Sequence, residues 1–106
     1  MFEGAKVQLE AVTDKAGYLR MDGEYPERIY STYRIKYLHD ARPCYLGYIT
    51  DHNDKPKIGA LVTSNVQNFY SDSNSEENRI IVSTMNSIYY FKVIEELNAS
   101  KPYQED

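Results

Sequence analysis

The residues best suited to catalysis in this chain are its single cysteine, Cys44, and its two histidines, His39 and His52. A cysteine nucleophile needs a histidine to take its proton, and these histidines lie five and eight positions away along the sequence. Cysteine is also among the most frequently buried residue types, and the surrounding PCYLGY is typical of a strand interior. We therefore interpret Cys44 as structural and predict no catalytic residues and no enzymatic activity.

Metal and cofactor sites are not indicated either. One cysteine and two histidines are too few for a structural zinc site. The loop DHNDKPK places Asp51 and Asn53 at the spacing of calcium ligands, but Lys55 stands where the next ligand is needed. The five glycines are dispersed and form no phosphate-binding loop. We predict no metal site and no cofactor.

The strongest candidate for binding is segment 28–48, RIYSTYRIKYLHDARPCYLGY, which interleaves five tyrosines with four basic residues and one acidic residue. Its formal charge is +3, whereas the whole chain carries −4. Exposed rings and cations hold single-stranded nucleic acid on some β proteins, and they also form the centres of protein interfaces. We assign the predicted binding surface to five residues: Tyr30, Arg34, Lys36, Tyr45 and Tyr48.

The same segment is also compatible with a sheet surface that binds nothing. Tyrosines suit the margin of a thin core, and basic side chains can cover a sheet with their methylene stems, without any function. If the segment does bind, charge favours a protein partner, because the acidic flanks would repel nucleic acid. Alternatively, the acidic residues could imitate a row of phosphates and enter a basic channel of another protein; these are Asp51, Asp54, Asp72, Glu76 and Glu77.

Hydrophobic patterning predicts one mainly β domain over residues 1–98 and a loose acidic tail over 99–106. Alternation in AKVQLEAVT predicts a strand with Val7, Leu9 and Ala11 on its buried side. Five or six short strands separated by turns predict a small antiparallel barrel or strongly bent sheet, SH3-like or OB-like, with at most one short helix.

Three long runs of β-forming residues dominate the rest of the chain. One, segment 58–70, IGALVTSNVQNFY, is predicted to pair antiparallel with the last of them. Segment 28–39, RIYSTYRIKYLH, is predicted to be one long strand, with Pro26 keeping Tyr25 extended before it. Segment 78–94, NRIIVSTMNSIYYFKVI, is predicted to be another, bent by a bulge at its polar interruption. An outlying functional hypothesis places that interruption at the mouth of a pocket for a nucleotide-like ligand, lined by Thr84, Asn86 and Ser87.

The last two apolar runs carry a family resemblance. IGALVTSNV followed by IIVSTMNSIYYFKV resembles a TSxV and TxNSxY strand pair of small β-rich bacteriophage and prophage proteins. The matching residues are Gly59, Val62, Thr63, Ser64, Val66, Thr84, Asn86, Ser87 and Tyr89. The resemblance implies a non-catalytic protein that occupies a host protein in the host cytoplasm, with inhibition of a host defence nuclease as the specific hypothesis. It implies no catalytic residues.

Location and assembly follow from what the chain can form. No apolar run approaches the roughly 20 residues that span a bilayer, and one cysteine cannot form an intrachain disulfide. We therefore predict a cytoplasmic protein without a membrane partner. Free strand edges or packing of tyrosines would allow a homodimer.

Overall fold

A computed structural model describes residues 2–72 and 78–95 as a closed barrel of antiparallel strands connected in chain order. The strands are β1 (Lys6–Thr13), β2 (Thr32–Tyr37), β3 (Pro43–Thr50), β4 (Ala60–Asp72), β5 (Arg79–Thr84) and β6 (Ile88–Glu95). One helical turn, α1 (Tyr25–Arg28), precedes β2. The prediction of a mainly β antiparallel barrel with at most one short helix is confirmed for these residues. The predicted tail, 99–106, lies outside them.

Each of the six strands pairs with two neighbours, and the pairing of β1 with β6 closes the ring. β1 pairs with β6 along Lys6–Thr13, but with β2 only as far as Gln8. The 13-residue β4 pairs with β3 through its first half and with β5 through its second. A register shift between Val66 and Asn68 marks the change, as expected where a bulge bends a strand. The first and last strands pair with each other, so the described sheet closes into a ring, although β1 continues past the end of its pairing with β2.

Alternate side chains of β1 point into the barrel interior, and a bulge in this strand changes which residues are buried. Val7 and Leu9 are fully buried, as the alternation predicts. A register shift against β6 between Leu9 and Ala11 makes Glu10 an extra residue. The side-chain alternation is therefore displaced by one position, and Val12 points inward in place of the predicted Ala11, which is half-buried.

The long strand predicted over 28–39 is wrong at its start. Pro26 lies in the first turn of α1, where a proline is tolerated because its missing N–H would have no helical partner. Tyr25 is therefore helical, contrary to the expectation that Pro26 keeps it extended. The chain then passes through Tyr30 with φ of 70° before β2 begins at Thr32.

The second long strand is also interrupted more strongly than predicted. Residues 85–87 form the turn of a hairpin between β5 and β6, in place of the predicted bulge. The Thr84 backbone N–H donates to the Ser87 carbonyl at 2.8 Å, and the Thr84 hydroxyl accepts the Ser87 N–H at 3.1 Å. The buried Thr84 hydroxyl thus provides a hydrogen-bond partner for the backbone of the turn, and the chain reverses there without a glycine.

Candidate functional site

Tyr45 lies in the middle of an exposed row that crosses three strands. It is paired with Tyr37 of β2 on one side and Val62 of β4 on the other. Side chains directly opposite each other in an antiparallel sheet project from the same side. Tyr37, Tyr45 and Val62 are 38%, 49% and 53% exposed. With Lys36, they form what we call the aromatic–basic face.

A register shift and local packing position the aromatic–basic face. The β2–β3 register shifts between Ile35 and Tyr37, which makes Lys36 an extra residue, so Lys36 and Tyr37 both point outward. The stem of Lys36 crosses Gly47, where its Cε lies 3.1 Å from the position that a Cβ would take. The Tyr37 ring lies 4.5 Å from the His39 ring, measured between centroids. Both side chains are therefore braced before any partner arrives.

Lys36 places a positive charge on the aromatic–basic face. Within the described residues Lys36 has no hydrogen-bond or ion-pair partner. The neighbouring row pairs Lys6 with Arg34 and Arg34 with Gly47, so further cations lie beside the aromatic–basic face. Arg34 Nη1 donates to the Gly4 carbonyl at 2.7 Å, which holds its guanidinium against the barrel. Strands β2 and β3 contain no carboxylate beside Lys36, whereas Lys6 lies opposite Glu95 of β6.

Two of the five predicted binding residues lie elsewhere. Tyr48 is three positions from Tyr45 in one strand and so projects from the opposite side of the sheet. Its half-buried ring lies 4.5 Å from that of the buried Tyr33, and Lys57 Nζ stands 4.1 Å over it. Tyr30 precedes β2 and lines a separate groove. The structure therefore groups Lys36 and Tyr45, places Arg34 beside them, and separates Tyr48 and Tyr30.

The polar residues of the β5–β6 turn are engaged by the protein itself. Thr84 and Ser87 are fully buried. Arg20 Nη1 donates to Ser87 Oγ at 2.9 Å and lies 3.4 Å from the Asn86 carbonyl oxygen, while Lys15 Nζ donates to the Thr84 carbonyl at 2.6 Å. The three residues predicted to line a pocket thus form a turn that anchors two cations.

An apolar groove with a volume of about 380 Å³ lies outside β1 and was not predicted. Its lining comes from separate segments: Glu10, Ala11 and Val12 of β1, Leu19, Arg20 and Met21 of the following loop, Pro26, Ile29 and Tyr30, and His52 of the β3–β4 loop. Single exposed apolar residues are common on protein surfaces. No local pattern in the sequence therefore indicates that these segments come together to form a groove. The apolar Leu19 and Met21 within a turn-rich segment are the one signal available beforehand.

Cys44 is buried in β3, and we expect it to resist alkylation. Burial raises the pKa of its thiol to about 12, and the charge of Glu3 adds to the rise. At pH 8 the reactive thiolate should be rarer than in an unfolded chain, slowing alkylation by about a thousandfold. Mass spectrometry after iodoacetamide treatment, with and without denaturant, measures the difference. Equal rates in both conditions would contradict the buried position.

Comparisons of this chain with family models, with curated proteins and with solved structures found no match. Within residues 2–72 and 78–95, no three acidic, histidine or cysteine side chains are grouped as a metal site requires. The helical turn in this part of the chain is too short to cross a bilayer. The geometry of the exposed surfaces is therefore the basis for assigning a function.

Proposed function

We propose that this protein is a non-catalytic binding module whose aromatic–basic face contacts an acidic surface of a partner protein. The observation that supports it most directly is the exposed row Tyr37, Tyr45 and Val62 beside the unpaired Lys36. A tyrosine side chain gives a large contact area at low entropic cost. A cation at the margin of the interface fixes how an acidic partner is oriented on it.

The composition of the aromatic–basic face favours protein over nucleic acid. A single-stranded nucleic acid requires several cations along its phosphates and rings for its bases. Here Val62 supplies apolar surface that phosphates do not use, and the chain as a whole carries a formal charge of −4. We therefore place nucleic-acid binding second.

A homodimer through the aromatic–basic face is disfavoured by its charge. A two-fold axis brings the same patch of both subunits together. Two copies of Lys36 would then be brought close together, and β2 and β3 supply no carboxylate between them. Like charges placed opposite one another oppose association. The complementary surface is thus expected on a different protein.

The finer part of the proposal is that the partner is a host defence nuclease, in keeping with the bacteriophage resemblance. Metal-dependent nucleases hold their ions with clustered carboxylates. A lysine beside two tyrosines complements such a cluster in charge. The activity of a captured nuclease, measured with and without this protein, tests inhibition directly.

The binding proposal is tested by capture from host lysate followed by affinity measurement with the purified partner. Lys36→Glu and Tyr45→Ala together should weaken binding by about a hundredfold, since each removes an interface contact worth about tenfold. Tyr70→Ala is the matched control, because Tyr70 is 55% exposed on the second half of β4, away from the face. Capture that is unchanged by the double variant would refute the role of this face.

Oligonucleotide binding is measured separately over a range of salt concentrations. Affinity that falls steeply with salt and is lost in Lys36→Glu would instead support the nucleic-acid function. We expect no measurable binding at physiological salt.

A further inference from the structure

Tyr30 holds an unfavourable backbone conformation next to the groove. Its φ of 70° lies in the left-handed region, which costs free energy for a residue with a β-carbon. Its N–H donates to the Leu9 carbonyl at 2.6 Å, and its own carbonyl accepts from Gln8 Nε2 at 3.1 Å. The barrel thus fixes the strained residue from both sides, while the ring stays 60% exposed. Strain maintained in this way is concentrated at ligand-binding sites.

The groove arises where the barrel wall opens. The β1–β2 register ends at Gln8 and Thr32, while β1 continues to Thr13 alongside β6. The loop after β1 returns across this gap, and the Arg20 N–H donates to the Val12 carbonyl at 2.8 Å. β1 therefore forms the floor, with the loop on one side and Tyr30 on the other.

The two lips of the groove are apolar and exposed. Leu19 and Met21 on one lip are 63% and 65% exposed, close to the exposure of Tyr30 on the other. Methionine adapts its shape to different apolar partners. Because the lips are open to water, a free small molecule would stay partly hydrated, whereas a side chain carried by a peptide can rest between them while its backbone continues outside.

The charges around the groove favour a basic occupant. Arg20 lies 3.7 Å from Asp22 and stacks over the Tyr25 ring, so its charge is already compensated. Glu10 is paired with Arg79 at 2.8 Å. Glu27 is exposed on α1, next in the chain to the lining residue Pro26, and its carboxylate has no partner among the described residues. Among the acidic and basic side chains of the lining and of α1, the Glu27 carboxylate is thus the one left without a partner in the described residues. The exposed Tyr30 ring can also attract a cation.

We infer that this groove is a second docking site, separate from the aromatic–basic face, for a basic peptide segment that inserts a large apolar side chain between Leu19, Met21 and Tyr30. The apolar side chain covers the lips, and adjacent lysine or arginine residues of the peptide approach Glu27 and the Tyr30 ring. This inference does not depend on the partner of the aromatic–basic face, because the two sites differ in position and charge.

The absence of tryptophan from this protein makes a sensitive test available. The probe is a lysine–leucine–tryptophan–lysine tetrapeptide amide, whose fluorescence should shift to shorter wavelength as the indole leaves water. Tyr30→Gly removes the ring and relieves the backbone, so it should weaken peptide binding by about tenfold while leaving the thermal midpoint unchanged or raised. Tyr30→Phe should retain binding.

Each comparison has an outcome that overturns the inference. A glutamate–leucine–tryptophan–glutamate peptide should bind about tenfold more weakly, and equal binding would exclude charge selection. N-acetyltryptophanamide binding as tightly as the tetrapeptide would indicate a small-molecule site. If the fluorescence shift of the tetrapeptide were lost in the Lys36→Glu and Tyr45→Ala double variant but kept in Tyr30→Gly, the peptide would bind the aromatic–basic face and not the groove.

Discussion

Replacing Phe91 by alanine is expected to lower the free energy of unfolding by about 3–5 kcal/mol, the usual cost of removing a buried phenylalanine. Phe91 is 1% exposed and lies in β6, paired with Leu9 of β1 and Ile80 of β5. Its ring packs edge-on against Tyr33 across the interior, 6.4 Å between centroids. The cavity would therefore form beside the seam where the first and last strands close the barrel.

Chemical denaturation with a spectroscopic readout measures this loss. Because a domain of this size has a total stability of about 5–15 kcal/mol, the Phe91→Ala chain could be partly unfolded without denaturant. Phe91→Leu retains most of the volume and should cost less than about 1.5 kcal/mol. A loss as small for alanine as for leucine would mean that the barrel interior is not packed around this ring.

Replacing Thr84 by valine should cost about 1–3 kcal/mol, since it leaves buried polar groups without partners in a residue of the same shape. The Thr84 hydroxyl donates to the Ser87 carbonyl at 3.0 Å and accepts the backbone N–H groups of Ser87 and Asn86 at 3.1 and 3.4 Å. Valine replaces this oxygen with a methyl group, so no cavity confuses the measurement. Thr84→Ser should retain most of the stability.

Replacing Tyr33 by phenylalanine, in contrast to Thr84→Val, removes a buried hydroxyl that has no hydrogen-bond partner among the described residues. The Tyr33 hydroxyl is buried, and no described group bonds to it at hydrogen-bonding geometry, although burial and the nearby Tyr48 hydroxyl raise its pKa. Removing a hydroxyl without a partner should leave stability unchanged or increase it. If Tyr33→Phe destabilised the protein as much as Thr84→Val, the difference between bonded and unbonded hydroxyls proposed here would be wrong.

The β5–β6 turn also connects the fold to the groove. Arg20, which lines the groove, is held by Ser87 and Asn86 of this turn. Lys15 adds a second attachment, donating to Ser83 Oγ at 2.7 Å and Gln67 Oε1 at 2.9 Å. The loop between β1 and α1 is therefore tied to the neighbouring β5–β6 turn and to Gln67 of β4, which keeps the lip of the groove in place.

Local patterns in the sequence determine the fold class and several turns of this protein. Alternating apolar residues around Leu9 predict a half-buried strand, because side chains in a strand point to opposite sides in turn. The polar loop after β3 is likewise predictable, since Asp51 Oδ1 accepts the N–H groups of Asn53 and Lys55, a local interaction that aspartate readily makes. The buried position of Cys44 follows from its apolar neighbours in the same way.

Only the tertiary structure decides which side chains share a surface. Lys36 and Tyr45 come together because of a one-residue register shift, and a shift of one position exchanges the two sides of a strand. Tyr30 is separated from them by a left-handed backbone that no glycine announces and that bonds to Gln8 and Leu9 maintain. The aromatic–basic face and the groove both depend on strand register and on long-range hydrogen bonds. These interactions join residues that are far apart in the chain, so they leave no periodic pattern in the sequence.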